Sequence, residues 1–168
     1  MAVSMYQVSV PVFTRMLSNL IAILEKAESH CAQRKIDPAA LIGFRFYPDM
    51  YPFSKQIQIA TDAAKNGSAY LAGAEPPRSE SVEQTFAELI ERVKKTIDYV
   101  NGFSPEQVDG SEEREISIRR GETTLTYKGQ EYLLNRVLPN FFFHITTAYD
   151  MLRHNGVELG KKDYLGNR

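Results

Sequence analysis

Residues Gly129–Arg153 read Gly-Gln-Glu-Tyr-Leu-Leu-Asn-Arg-Val-Leu-Pro-Asn-Phe-Phe-Phe-His-Ile-Thr-Thr-Ala-Tyr-Asp-Met-Leu-Arg. Tyr132, Leu133, Val137 and Leu138, then Phe141, Phe142, Phe143, Ile145, Ala148, Met151 and Leu152, follow the three-or-four spacing of a helix. Pro139 should kink this helix or split it in two. Three consecutive phenylalanines leave little polar face, so the helix is expected to be mostly buried. Asn155-Gly156 is the expected stop. A buried helix needs neighbours, and the rest of the chain supplies them.

Working outward, residues 8–33 carry Phe13, Leu17, Leu20, Leu24 and Ala27 on one face, with Pro11 tolerated in the first turn. Asp37-Pro38 is an N-cap and first-turn proline for a short helix ending at Gly43. A second long helix is expected from a Ser54 cap to about Leu71, with Ile57, Ala60, Ala64 and Leu71 inward. Gly73 and Pro76-Pro77 stop it. Ser81-Val82-Glu83-Gln84 has the spacing of a capping box and predicts a third helix to about Val100, ended by Asn101-Gly102. Its stripe is Val82, Thr85, Phe86, Leu89, Val93, Ile97 and Val100. Residues 103–113 read as a polar loop. Ile116 and Ile118, then Leu125 and Tyr127, alternate with polar residues around Arg120-Gly121-Glu122 and predict a β-hairpin. Four long helices with a small hairpin before the last one make the expected fold all-α, a four-helix bundle forming one domain over residues 1–168.

Composition sets further bounds. A chain of 168 residues buries roughly 70% of its unfolded surface, so it needs no disulfide or structural metal for stability. Twenty Lys and Arg against 21 Asp and Glu give a net charge of −1, which argues against a nucleic-acid partner. The lone Cys31 excludes an internal disulfide framework and a Cys-rich zinc site. Only three histidines are present, His30, His144 and His154, too few for a His-rich metal cage. No targeting segment and no membrane span are read, and the expected location is cytoplasmic.

His144 is the most informative titratable residue, set in the most apolar helix with Asn140 four residues earlier on the same face. Gln58 and Asp62 share that spacing on the second long helix. Two outcomes follow if these faces meet. One is a small polar site for a ligand or metal, of the kind built in bundle cores. The other is a buried histidine and amides that satisfy one another. His30 and Cys31 are adjacent in sequence and point about 100° apart on a helix, so they make no nucleophile pair. His154 fits a helix C-terminus.

Residues 43–53 hold two prolines and five aromatics, an ordered loop packed on something apolar. Arg45, Tyr47, Asp49 and Tyr51 either line a pocket at one end of the bundle or belong to a plug that closes the core.

The phrases Phe46–Phe53, Gln56–Lys65, Leu138–Tyr149 and Leu152–Val157 together resemble an uncharacterised bacterial and fungal domain-of-unknown-function family. That family is similar to a branch of the DinB/YfiT-like superfamily of metalloenzyme-like bundles. The resemblance runs from about Val12 to Gly166. It implies an antiparallel four-helix bundle, a homodimer, and a divalent metal such as zinc or nickel held by three histidines. One histidine lies on helix two and two lie four apart on the last helix. Counted back from Gly156, His144 falls at the later of that pair, while Asn140 stands at the earlier position. Helix two offers Gln58, Thr61 or Asp62. Amide oxygens are weak ligands for zinc and nickel, so two of the three expected ligands are missing. The expectation is a central polar cleft around Gln58, Asp62, Asn140 and His144 that takes a small molecule or a weakly held metal. His144 would be base or metal ligand, Asp62 would orient it, and Tyr47 and Asp49 would join the ligand site. The alternative is a non-catalytic interaction protein that has lost the metal site.

Overall fold

The computed structural model describes residues 3–166. It is mostly helical, with one small antiparallel sheet. Among the described residues no helix is long and apolar enough to cross a membrane. Helix α1 spans Val10–Arg34, α2 Pro38–Ile42, α3 Phe53–Leu71, α4 Phe86–Asn101 and α5 Pro105–Val108. Strands β1, Glu115–Arg120, and β2, Thr123–Lys128, follow. Next come α6, Gly129–Tyr132, a π-helical segment, Leu133–Val137, α7, Leu138–His154, and α8, Lys161–Leu165. Pro139 stands at the start of α7, where its missing N–H costs little, and the chain just before it widens into the π segment.

The buried faces of α1, α3, α4 and α7 meet in one core, with Phe13, Phe53, Phe86 and Phe141 wholly enclosed. Phe13 and Phe141 meet edge to face, ring centroids 5.0 Å apart. Helices α3 and α7 run antiparallel. His144 meets Gln56 near one end of the seam, and Val137 meets Gly67 near the other. Helices α1 and α4 also oppose, Thr14 bonding Asn101 at 2.7 Å. Helices α3 and α4 run in the same direction, since Phe53 neighbours Phe86 and Thr61 bonds Arg92. Alternating directions therefore fail at this one pair. Parallel neighbours cannot be joined by a tight turn, and the connection is correspondingly long. Residues 72–85 run back along α3, with Ser79 at Lys65, Glu83 at Gln58 and Ser81 at Lys55.

This strap corrects two expected caps. Ser81 does not start α4; Thr85 does, bonding Glu88 N while the Glu88 carboxylate accepts from Thr85 N. Ser81 and Glu83 instead serve the strap, and Val82 is exposed. Helix α3 begins at Phe53 behind an extended Pro52, which stands at the cap two residues ahead of the expected Ser54. The polar loop 103–113 contains α5. The hairpin is as expected: Ile116 faces Tyr127, Ile118 faces Leu125, and Gly121 takes the positive φ that a two-residue turn requires.

Two burial expectations hold only in part. Phe143 is 58% exposed, because α7 keeps a solvent face and only Phe141 of the three phenylalanines is wholly buried. The loop 43–53 closes the core only in part. Phe44 and Phe46 rest on the His154 ring and Phe53 enters the core as part of α3, whereas Tyr47 and Tyr51 stand in solvent.

Candidate functional site

His144 projects from α7 into the seam with α3 and is buried. Its Nδ1 lies 2.6 Å from Gln56 Oε1, and Gln56 Nε2 donates to the Tyr51 carbonyl at 3.0 Å. The second bond fixes the amide, leaving Oε1 to accept, so Nδ1 carries the imidazole proton. Burial lowers the histidine's pKa below its usual 6.5 and favours the neutral ring. His144 is thus a buried histidine satisfied by an amide, but the amide is Gln56. Gln58, two residues on and about 200° around the helix, donates instead to Glu83 Oε2 at 2.9 Å.

Arg92 organises the other face of α3. Its Nε donates to Thr61 Oγ1 at 2.8 Å, Nη1 to the Glu80 carbonyl at 2.7 Å and to Glu83 at 2.9 Å, and Nη2 to Asp62 at 2.8 Å. Lys65, also buried, reaches Asp62 at 3.2 Å. Burial alone would raise the Glu83 carboxyl, but hydrogen bonds from Arg92 and Gln58 and the guanidinium charge outweigh it and hold the pKa below the usual range. Two cations and two carboxylates close a neutral cluster, so the desolvated charges are matched.

Asp62 and Asn140 do come together. Both line a cleft of about 360 Å³ where α3, the π segment and the hairpin converge. Asn66, Tyr70, Tyr127, Tyr132 and Arg136 complete its working walls, and Arg119 stands at its hairpin side. The rings of Tyr70 and Tyr127 pack on Tyr132 with centroids 6.2 and 5.8 Å away. Burial pushes the Tyr132 hydroxyl's pKa upward, with the Arg136 charge opposing it, so the phenol stays protonated. His144 and Gln58 are not part of this cleft, and neither are Tyr47 and Asp49. The aromatic loop reaches His144's partner through the Tyr51 carbonyl.

Of the four residues expected to form one polar site, the cleft joins two. The sequence did carry a signal for Arg92, a charge at the fourth place after Glu88 between Leu89 and Thr96 on the inward stripe. Gln56 and the tyrosine wall had none, because their pairing depends on helix register and on where the hairpin folds back.

A three-histidine metal does not fit these residues. Among the described residues no group of three His, Cys, Asp or Glu is placed to hold an ion. His144 commits Nδ1 to Gln56, an amide stands at Asn140 where the resemblance implies an imidazole, and the α3 residues lining the cleft besides Asp62 are Ile59, Ala63, Asn66 and Tyr70, none of them a histidine. Asp62 itself already serves Arg92 and Lys65.

None of the curated proteins matches this sequence. Among solved structures, a DinB family member protein from Shewanella denitrificans is 40% identical and superposes with a TM-score of 0.87, covering 97% of this chain and 92% of that one. A family described as a domain of unknown function (DUF1993) matches residues 5–165, and the chain belongs to it.

Proposed function

We propose that this protein binds a small polar molecule in the cleft between α3, the π segment and the hairpin. In this reading α1 and α7 run one way and α3 and α4 the other, as a DinB/YfiT-like four-helix bundle. The observation that carries it is the meeting of Asp62 and Asn140 in one cleft with Asn66, Arg136 and three tyrosines. Its volume lies at the lower end of small-ligand sites, about 300–1,000 Å³. His144 supports this site from the neighbouring turn of α7 and does not coordinate.

The test is a thermal-shift screen of small carboxylates, amides, amines and alcohols, with Zn²⁺ and Ni²⁺ as separate arms. Ligands are expected to stabilise the wild type and to lose that effect in Asn140→Leu, with no shift from either metal. A ligand at a hundred times its Kd adds about 2.7 kcal/mol, which such a scan resolves. One equivalent of bound zinc or nickel, released by His144→Ala, would overturn the reading. Self-association belongs to the same proposal: the exposed Phe143 on α7 gives a helix-face dimer an apolar seam. Sedimentation of wild type against Phe143→Asp tests it.

A further inference from the structure

Arg136 distinguishes the cleft from an ordinary crevice. It is half-buried on the π segment and lines the cavity, close enough to Tyr132 for its charge to act on that hydroxyl. Arg92 and Arg114 are tied to protein carbonyls or carboxylates. Arg136 has no hydrogen bond or ion pair among the described residues. The same holds for the hydroxyls of Tyr70, Tyr127 and Tyr132, whereas those of Tyr149 and Tyr164 are bonded. A guanidinium held partly out of water without a partner leaves its donors free for one, and a carboxylate matches its fork.

The charge balance points the same way. The only carboxylate among the described lining residues is Asp62, already matched by Arg92 and Lys65. Arg136 and Arg119 are left to set the sign of the field, and it favours an anion. The remaining wall is aromatic, with the Tyr70 and Tyr127 rings both packed on Tyr132, which suits a flat ring. The π segment adds a local reason. It carries Arg136 and places Val137 against Gly67 of α3, and such bulges recur at functional sites.

From this geometry we infer that the cleft takes an aromatic carboxylate, its carboxylate on Arg136 and its ring against the tyrosine wall, with Asn140 and Asn66 reading polar substituents. The inference rests on the proposed ligand-binding role of the cleft and adds the chemical class.

Calorimetric titration of the full chain with benzoate, benzamide and inorganic phosphate tests it in wild type, Arg136→Gln and Asn140→Leu. Circular dichroism and melting of each variant check the fold, and Arg136→Lys provides a second variant that keeps the charge without the fork. Benzoate is expected to bind wild type at least 10-fold more tightly than benzamide or phosphate. Arg136→Gln should weaken benzoate by about 10- to 100-fold, the range for a hydrogen bond to a charged group, and leave benzamide unchanged. Arg136→Lys should fall between. No benzoate binding, equal affinity for benzamide, equal affinity for phosphate, or an unaffected Arg136→Gln variant would each overturn the inference. If benzamide binds wild type and is lost in Asn140→Leu while Arg136→Gln changes nothing, the cleft survives as a ligand site and only its anion preference falls.

Discussion

A neutral imidazole keeps its place between two helices when its N–H has an acceptor, and Gln56 supplies one to His144. Replacing Gln56 by Leu removes that acceptor and also the donor to the Tyr51 carbonyl. An unsatisfied buried group costs about 1–3 kcal/mol, and urea unfolding of Gln56→Leu should show a loss of that size. The histidine also makes stability depend on pH. Its folded pKa lies below the usual 6.5, so between the two values the unfolded chain binds a proton that the folded chain does not. Stability is therefore full above about pH 6.5 and declines as pH falls towards the folded pKa. The carboxylates whose pKa values are lowered, Glu83, Glu88, Glu106 and Asp163, act further down, below the ordinary 4.5 of glutamate and 3.8 of aspartate. Denaturation at pH 7.5 and 5.5 should show wild type losing stability over an interval in which His144→Gln is nearly flat. An equal slope in both proteins would mean that another group titrates.

At the scale of elements, the strap formed by residues 72–85 is the part most dependent on a single side chain. Arg92 joins its Glu80 carbonyl and Glu83 carboxylate to Thr61 and Asp62 of α3. Arg92→Leu leaves the largely buried Glu83 without its cation and Asp62 with Lys65 alone, and breaking such a network costs about 3–5 kcal/mol. Limited proteolysis should then cut between Ala74 and Gln84 much faster than in wild type. Arg92→Lys should rescue little, because one ammonium cannot reach four acceptors held by a planar fork. These contacts show where sequence reading reaches its limit. The four long helices and the hairpin were legible, since each is a local pattern of apolar spacing and breakers. The start of α4 was not, because Ser81–Gln84 and Thr85–Glu88 both satisfy the capping-box spacing. Arg92 on Glu80 and Glu83, Gln58 on Glu83 and Lys55 on Ser81 hold the first box in the strap and out of the helix. That Asp62 and Asn140 line one cleft was legible as the meeting of two polar helix faces, Gln58–Asp62 and Asn140–His144. The choice of Gln56 over Gln58 as His144's partner was not, because it turns on the rotation of α3 about its own axis.

The whole molecule depends on how closely α3 and the last helix approach, since that spacing sets both the His144 seam and the cleft. At Gly67 the α3 backbone lies close against Val137. A Cβ built there would lie 2.6 Å from Val137 Cγ1, well inside contact distance. Val137 is buried and β-branched, so its methyl groups have little freedom to swing aside. In the middle of an exposed helix Gly→Ala stabilises by about 1 kcal/mol. Here overpacking of about 1–3 kcal/mol opposes that gain, and the added methyl must push the π segment away from α3. Gly67→Ala should therefore be destabilising despite its better helix propensity. The displacement would carry Arg136 and Tyr132 with it, so ligand affinity in the cleft should fall further than stability alone explains. Val137→Ala by itself should cost stability through lost packing, about 0.5–2 kcal/mol for two buried methyl groups. Combined with Gly67→Ala it should cost less than the sum, because the space vacated by the valine accepts the new methyl. A double-mutant cycle should give a favourable coupling of about 1 kcal/mol or more. Strict additivity would show that the seam relaxes freely at this point, and that the separation of α3 from the π segment is set elsewhere.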